Sequence, residues 1–127
     1  MKKSNKKIGF IIALSAIICT GCAGESEQTG DKTNVKIGVA QIVDHTSLNT
    51  IRDSFKEEMI ALGYPESSMD FQNAANDSSY LNTIMQKFNG DNKDVIVAIA
   101  TPTAQAAANF AKERSVVFSA VSDPIQA

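Results

Sequence analysis

The sequence predicts an α/β protein in which a parallel sheet is built from a β-α-β-α-β-α-β unit. Three observations predict it. Short apolar segments rich in β-branched residues recur along the chain, segments with helical periodicity separate them, and the turns between them are polar. Strands that alternate with helices are expected to be parallel, to be joined by right-handed crossovers, and to carry helices on both faces of an open sheet.

The first part of this unit contains two strands and one helix. Residues 35–42 (VKIGVAQI) partly alternate and predict the first strand, and residues 68–73 predict a short second strand. Residues 44–47 are of helix-capping types and precede a helix. Its apolar stripe has spacings of three and four and consists of Leu48, Ile51, Phe55, Met59 and Leu62. Gly63 is expected to end this helix, because Pro65 cannot continue it.

The second helix is expected to begin at a cap formed by Asp77 or Ser78 and to stop at Gly90. Its apolar stripe consists of Leu81, Ile84, Met85 and Phe88. Residues 94–100 (DVIVAIA) then form a continuous apolar run, which is typical of a strand covered on both faces. This run predicts the third strand.

The third helix follows Thr101-Pro102-Thr103, where a proline near the first turn is tolerated. The alanine-rich segment 104–112 predicts that helix, and residues 115–120 predict the fourth strand. Nothing after Pro124 is expected to complete the helix layer. We therefore expect the third and fourth strands to expose an apolar face, and the fourth strand to form a free edge.

Polar residues collect where the predicted strands end. They are Gln41, Asp44, His45, Asn73, Asn76, Thr101, Thr103, Ser122 and Asp123. In open parallel sheets, ligands bind at the carboxyl ends of the strands. The contrast between apolar strands and polar loops therefore predicts a site for a small polar ligand at this edge.

The N-terminal segment has the features of an export signal. Residues 1–7 contain four lysines and no acid, and residues 8–19 are apolar but too short for an ordinary membrane span. Small residues then precede Cys22, a pattern that resembles the lipobox of bacterial lipoproteins, although Cys19 stands where that motif usually has leucine. A membrane span and a C-x-x-C redox pair are the alternatives. We predict a signal peptide at 1–21, with lipidation of Cys22.

The polar segment 22–34 contains no large apolar residue and predicts a flexible tether, so the folded domain is expected at 35–127. Without the four lysines of the signal, 8 basic residues remain against 14 acidic ones, a net charge of −6. That balance argues against nucleic-acid binding. With no other cysteine after the anchor, the fold must depend on an ordinary apolar core.

The sequence contains no motif that indicates catalysis or a cofactor. It has no glycine-rich phosphate loop after the first strand and no Cys/His cluster with metal-ligand spacing. His45 is the one histidine and lies beside Asp44 in the sequence. With Ser122 these residues are of the types found in a catalytic triad, but the nucleophile-elbow pattern is missing. We therefore expect neither an enzyme nor a metal or cofactor site.

Five segments of the sequence are distinctive in combination: the predicted lipidated export signal, VKIGVAQIVDH, ALGY, VIVAIATPTAQ and FSAVSDP, the last two being the most specific. Together they resemble the tryptophan/tyrosine-type substrate-binding lipoproteins of ABC transporters. The resemblance implies the first lobe of a type I periplasmic-binding-protein fold, truncated partway, in a family whose members have two lobes. It also implies an aromatic amino acid or similar solute, an ABC permease partner, and a lipid-anchored location on the extracytoplasmic face of the cell membrane.

The chemistry of a free amino acid suggests roles for the polar edge. A helix N-terminus is a natural carboxylate site, so Thr101 and Thr103 are expected to bind the solute carboxylate, unless one of them is only an N-cap. Asp123 would receive the ammonium group or cap a following helix. Gln41 and Asp44 would face the cleft, or would instead form a solvated loop and a helix cap. The candidate ligand-binding residues are Gln41, Asp44, Thr101, Thr103, Ser122 and Asp123.

Two other functions stay open at this point. One is a lipid-anchored sensor lobe of the same fold, and the other is a lipoprotein enzyme. Because a two-lobe binding protein closes around its ligand, a single lobe is expected to fold marginally and to bind its solute much more weakly than a complete protein.

Overall fold

The computed structural model of this protein describes residues 31–125. Within that range, four strands and three α-helices alternate as the sequence predicts, and the predicted fold class is confirmed. The elements are β1 (Ile37–Gln41), α1 (Thr46–Ala61), β2 (Met69–Asn73), α2 (Ser78–Gly90), β3 (Val95–Ile99), α3 (Thr101–Ala108) and β4 (Ser115–Ser119).

The four strands form one parallel sheet in the order β2-β1-β3-β4. The chain therefore starts in the middle of the sheet, moves to one edge and then crosses back to the other side of β1. This reversal creates a switch point between β1 and β3, where open α/β sheets place their ligands. At the carboxyl end of β1, Gln41 is in register with Asn73 of β2 and Ile99 of β3.

One face of the sheet packs against α1. Its buried cluster consists of Ile37, Val39, Met69, Val97 and Ile99, and four residues of the predicted α1 stripe pack against it. The fifth, Leu62, is 51% exposed, so its assignment to the apolar stripe is wrong. Leu62 is the C-cap of α1, and Gly63 then adopts a positive φ of 90°, which turns the chain away from the sheet.

The opposite face packs against α2 and α3. The predicted α2 stripe is fully confirmed, because its four residues are at most 2% exposed. The closest packing involves Phe88 of α2, whose ring lies against Gly38 of the central strand. A Cβ atom added at Gly38 would lie 2.6 Å from Cδ2 of Phe88. The absence of a side chain at Gly38 is therefore what lets α2 approach the sheet.

Both predicted ends of α2 are confirmed. Asp77 caps α2 as expected, because its Oδ1 accepts hydrogen bonds from the N–H groups of Ser79 at 2.7 Å and Tyr80 at 3.1 Å. Gly90 is the last residue of α2, as the sequence predicts, and Asp91 is the C-cap.

The predicted bounds of the third helix, 104–112, are wrong at both ends. The helix begins at Thr101, because Ala100 occupies the N-cap position. It ends at Ala108, after which the chain continues in tighter turns. There, Phe110 N–H donates to the carbonyl of Ala107 three residues earlier, at 2.9 Å.

The fourth strand is exposed as predicted, but the third is not. Val117 and Phe118 of β4 are 54% and 46% exposed. The expectation that the third strand also loses its cover is wrong, because its residues from Ile96 to Ile99 are buried. Two of them, Val97 and Ile99, belong to the cluster packed by α1, and the other two belong to the cluster packed by α2 and α3.

The last residues of the predicted tether contact the domain. Lys32 donates a hydrogen bond from Nζ to the carbonyl of Leu62 at 2.7 Å and lies 5.5 Å from the ring centroid of Tyr64. The predicted signal peptide and Cys22 lie outside the described residues. Within residues 31–125, no helix has the length and apolar character needed to cross a membrane.

We predict that Gly38→Ala destabilises the protein by about 1–3 kcal/mol, because overpacking a well-filled core forces side chains off their rotamers. Chemical denaturation followed by circular dichroism measures this free energy of unfolding. Gly90→Ala is the matched control, because a Cβ there meets nothing within 4 Å and alanine favours the helix. Equal stability of wild type and Gly38→Ala would contradict the packing described for Phe88.

Candidate functional site

The candidate site lies at the carboxyl edge of the sheet, where the loops after the four strands meet. Two backbone hydrogen bonds tie the loop after β2 to the end of β1. Ala74 N–H donates to the carbonyl of Gln41 at 3.0 Å, and Asn76 N–H donates to the carbonyl of Ile42 at 2.7 Å. The loops are therefore held at fixed positions next to the switch point.

Backbone strain is concentrated at this edge. Among residues 31–125, five residues other than glycine have a positive φ, and four of them directly follow β2, β3 or β4: Ala75, Asn76, Ala100 and Ala120. Ala100 is the most unusual, with φ 79° and ψ 156°, a combination that is close to a glycine-only region. Strain of this kind costs about 1–3 kcal/mol per residue and clusters at ligand-binding sites.

Gln41, at the end of β1, is 1% exposed and only partly satisfied. Its Nε2 atom donates towards the carbonyl of Val43 at 3.1 Å, Oδ1 of Asp44 at 3.2 Å and Oδ1 of Asn49 at 2.8 Å. These three acceptors fix the orientation of the amide, because the reversed amide would turn its oxygen towards them. The Oε1 atom is buried and has no hydrogen-bond partner.

Asp44 lies beside Gln41 and is open to solvent, with its side chain 72% exposed. Its Oδ1 is 3.8 Å from Nη1 of Arg52, which also donates from Nε to Asp53 at 2.8 Å. The hydrogen bond to Asp53 is the largest cause that holds the pKa of Arg52 above its ordinary value, and the charges of Asp53 and Asp44 raise it further against the opposing effect of desolvation. Arg52 thus lies beside Asp44 as a nearby positive charge.

Sequence reasoning missed Asn49 and Arg52, which complete this cluster from α1. The signal that could have found them is their spacing of three within the first two turns of a helix that begins at the carboxyl edge. Asp44 does not cap α1, although a capping role was one of its two predicted roles. His45 occupies the N-cap position, and its Nδ1 accepts the N–H of Ser47 at 3.3 Å.

The N-terminus of α3 is uncapped by any side chain. The N-cap is Ala100, so the alternative that Thr101 or Thr103 is only an N-cap is wrong. The hydroxyl oxygen of Thr101 instead accepts the N–H of Ser122 at 3.1 Å, which joins the ends of β3 and β4. The first N–H groups of any helix lack partners within the helix, and Pro102 has none to offer.

Thr103 is buried at the start of α3, with 0% exposure, and its Oγ1 atom has no hydrogen-bond partner. A buried polar group without a partner costs about 1–3 kcal/mol. Gln41 Oε1 and Thr103 Oγ1 are thus two unsatisfied oxygens close to the switch point. Sequence reasoning singled out both residues, but not the fact that they are buried.

Ser122 and Asp123 follow β4 at the same edge. The backbone of Ser122 contacts Thr101 as described, and Oδ1 of Asp123 accepts the N–H of Ile125 at 3.1 Å within its own turn. The structure therefore joins four of the six candidate residues in two contacting pairs, Gln41 with Asp44 and Thr101 with Ser122. Thr103 lies beneath the edge, and Asp123 lies in the turn after β4.

This arrangement can bind a small zwitterion. The uncapped start of α3 presents N–H donors and a positive dipole end to an anion, and the carboxylates of Asp44 and Asp123 present negative charge to a cation. The imidazole of His45 is held in place by the hydrogen bond that its Nδ1 accepts from the N–H of Ser47. Within the described part of the chain, no group of three or more His, Cys, Asp and Glu side chains is placed to hold a metal ion.

Solved structures of similar chains share this fold. A substrate-binding protein with adhesive properties from Clostridium difficile, in its ligand-free open structure, matches 72% of this chain at a TM-score of 0.68 and 41% identity. The structure from Streptococcus pneumoniae described as an ABC domain in complex with L-Trp matches 73% at a TM-score of 0.68 and 36% identity. The matched part covers 32% of each of those chains.

Sequence comparison gives the family. A tyrosine-binding protein of Clostridioides difficile (strain R20291) is 38% identical over an alignment of 140 positions, which covers 100% of this chain and 41% of that protein. The chain thus spans about two fifths of the length of this curated relative. The model of the family described as ABC transporter substrate binding protein matches residues 36–127, and the chain therefore belongs to that family.

Proposed function

We propose that this chain binds the backbone groups of an aromatic amino acid at the carboxyl edge of its sheet, as part of an ABC importer. The observation that carries the proposal is the strained, uncapped start of α3 at Ala100, next in sequence to Ile99, which pairs with Gln41. The strained backbone and the unsatisfied oxygens raise the free energy of the unliganded site. A ligand that binds there can offset this cost by supplying the missing hydrogen-bond partners.

The solute carboxylate would lie at the N-terminus of α3. The N–H groups of Thr101 and Thr103 and the hydroxyl of Thr101 are the donors there, and a helix N-terminus favours an anion by about 0.3–1 kcal/mol at an exposed site. Thr103 Oγ1 is covered in the described structure. The solute would therefore reach this hydroxyl only if the first turn of α3 or the loop after β1 shifts on binding.

The solute ammonium group would lie on the acidic side of the edge. Asp44, Asp123 and Oε1 of Gln41 are the acceptors that this part of the chain offers. Arg52 limits the charge that Asp44 presents, because it lies 3.8 Å from the Asp44 carboxylate. An ammonium group that approaches Gln41 Oε1 would give this oxygen the partner that it lacks.

The aromatic class of the solute is supported by two relatives. One is described as a tyrosine-binding protein, and another was solved in complex with L-Trp. Both are considerably longer than this chain. We therefore expect polypeptide beyond the matched region to surround the aromatic side chain. The matched region would supply the contacts to the carboxylate and ammonium groups that all amino acids share.

Membrane anchoring and delivery to a permease complete the proposal. Substrate-binding proteins of ABC transporters work on the extracytoplasmic side, which agrees with the export signal and the lipobox-like segment before Cys22. A lipid on Cys22 would hold the domain at the membrane surface, close to the permease, by the polar segment 22–34, in which Lys32 contacts Leu62 at the end of α1.

Thr103→Val tests the solute site. Valine has nearly the shape of threonine, so removing the unsatisfied hydroxyl should leave the free energy of unfolding unchanged or raise it by about 1 kcal/mol. The same change should weaken amino-acid binding by about tenfold or more, because a hydrogen bond to a charged group contributes about 1.5–3 kcal/mol. Chemical denaturation and calorimetry, on this chain and on a longer protein of the family that carries these residues, measure the two quantities.

Thr83→Val is the control for that experiment. Thr83 is exposed on α2, and its hydroxyl donates to the carbonyl of Ser79 at 3.2 Å. This variant should bind the solute as the wild type does. Unchanged affinity in Thr103→Val would remove Thr103 from the proposed site, and a large loss of stability would show that its hydroxyl has a structural partner.

Cys22→Ser tests the anchor. The serine hydroxyl cannot form the thioether to lipid, so the variant should remain unlipidated and keep its signal peptide. Labelling cells with a fatty acid, followed by mass analysis of the purified chain, measures both effects. Cys19→Ser is the matched control and should be labelled like the wild type. Equal labelling of Cys22→Ser and wild type would contradict the assignment.

A further inference from the structure

Arg52 places a positive charge on the acidic side of the candidate site. It lies in the second turn of α1, and its side chain is 30% exposed. Its Nε donates to Oδ1 of Asp53 at 2.8 Å, and its Nη1 donates to Oδ1 of Asn49 at 3.4 Å. The same Nη1 lies 3.8 Å from Oδ1 of Asp44. These contacts hold the charge of Arg52 beside the carboxyl end of β1.

Gln41 and Arg52 share two acceptors. The Nε2 atom of Gln41 donates to Oδ1 of Asn49 at 2.8 Å and to Oδ1 of Asp44 at 3.2 Å. Nη1 of Arg52 approaches the same two oxygen atoms. Oε1 of Gln41 and the second carboxylate oxygen of Asp44 take no part in these contacts. They are the acceptors that this cluster leaves for a solute.

The charges of this part of the chain do not cancel. Residues 41–53 contain two carboxylates, Asp44 and Asp53, and one basic residue, Arg52, so their net charge is −1 with histidine neutral. Asp123 adds a further carboxylate to the same edge of the sheet. Arg52 therefore opposes the negative potential on this side of the site, and a solute cation would meet a stronger negative potential without it.

The guanidinium of Arg52 is divided between two carboxylates. Its contact with Asp53 is the shorter one, at 2.8 Å against 3.8 Å for Asp44. The hydrogen bond to Asp53 is also the largest cause of the raised pKa of Arg52. Arg52 is thus held close enough to Asp44 to act on it through its charge, without a hydrogen bond that would occupy this carboxylate.

We propose that Arg52 is a specificity-determining residue, which makes the site select a zwitterionic amino acid over an amine of the same shape. This inference rests on the proposed function, in which the solute ammonium group lies beside Asp44 and the solute carboxylate lies at the N-terminus of α3. The charge of Arg52 repels an ammonium group and attracts a carboxylate. The two effects partly cancel for a zwitterion, whereas the repulsion acts in full on an amine.

The ratio of two dissociation constants tests this role. L-tyrosine and tyramine share the ring and the ammonium group, and only L-tyrosine has a carboxylate. NMR titrations of the full chain in mild detergent, at low ionic strength, measure both constants where charges are least screened. The wild type should prefer L-tyrosine. Arg52→Gln should lower this preference by about two- to fivefold, the effect of one exposed ion pair, mainly through tighter binding of tyramine.

Two further variants separate the charge of Arg52 from its other properties. Arg52→Lys keeps the positive charge without the planar guanidinium, so it should retain the preference of the wild type. Lys56→Gln removes the same charge one turn further along α1, where Lys56 pairs with Glu66, and should change the preference much less. Equal changes in Arg52→Gln and Lys56→Gln would show that net charge alone sets the preference, and would overturn the proposal.

Asp53→Asn should change the preference in the opposite direction. Without this carboxylate, Arg52 is left with Asp44 as its nearby anion, and the negative potential at the site falls. Tyramine should therefore bind more weakly, and the preference for L-tyrosine should rise. A purely structural role of the cluster would instead lower the affinity for both compounds together in every variant.

The possible outcomes separate this inference from the proposed function. Equal affinities of the wild type for the two compounds would contradict the proposed function, and this inference with it. A wild type that prefers L-tyrosine, together with an unchanged preference in Arg52→Gln, would overturn the role of Arg52 alone. If Arg52→Gln loses the folded circular dichroism spectrum, Asp53→Asn decides, and an unchanged preference in that variant would overturn the proposal.

Discussion

The contact between Phe88 and Gly38 is the constraint on which the rest of the structure depends. A bulky ring at this position requires a central strand with no side chain opposite it, and Gly38 meets this requirement. The contact places α2 close against β1. The chain that leaves α2 forms β3 on the side of β1 away from β2. The switch point between β1 and β3, and with it the candidate site beside Gln41, therefore lies on the strand against which α2 packs.

The packed sheet supports a carboxyl edge whose local conformation raises the free energy of the folded state. Ala100 adopts a strained backbone conformation, and Gln41 Oε1 and Thr103 Oγ1 are buried without partners. Each feature costs about 1–3 kcal/mol, which a small domain can sustain only if its core is well packed. The buried β1 and β3 strands provide that core. This division between a stable sheet and a strained edge fits the proposed binding site, because a solute that reaches these buried groups would supply the partners that the fold leaves out.

Much of the fold could be predicted from the sequence, because periodicity reports directly which residues face a core. The α2 stripe and the apolar run of β3 are examples. The predictions that failed needed information that a sequence pattern does not carry. The start of α3 was placed at Ala104 because alanine gives no sign that Ala100 takes an unusual N-cap conformation. The cover of β3 depends on three helices from distant parts of the chain. In the site, the polar residues were visible, but their burial, and the support of Gln41 by Asn49, follow only from tertiary packing.

The most direct test of the account is a titration of this chain with L-tyrosine, followed by the amide signals of each residue in NMR spectra, which detect weak binding. The account predicts that the amides of Gln41, Asp44, Thr101, Thr103 and Ser122 shift together with one dissociation constant. Tyramine, which has the same ring and ammonium group but no carboxylate, should produce much smaller shifts, because the α3 N-terminus would lack its anion. Equal responses to both compounds, or an absence of shifts at these five residues, would contradict the account.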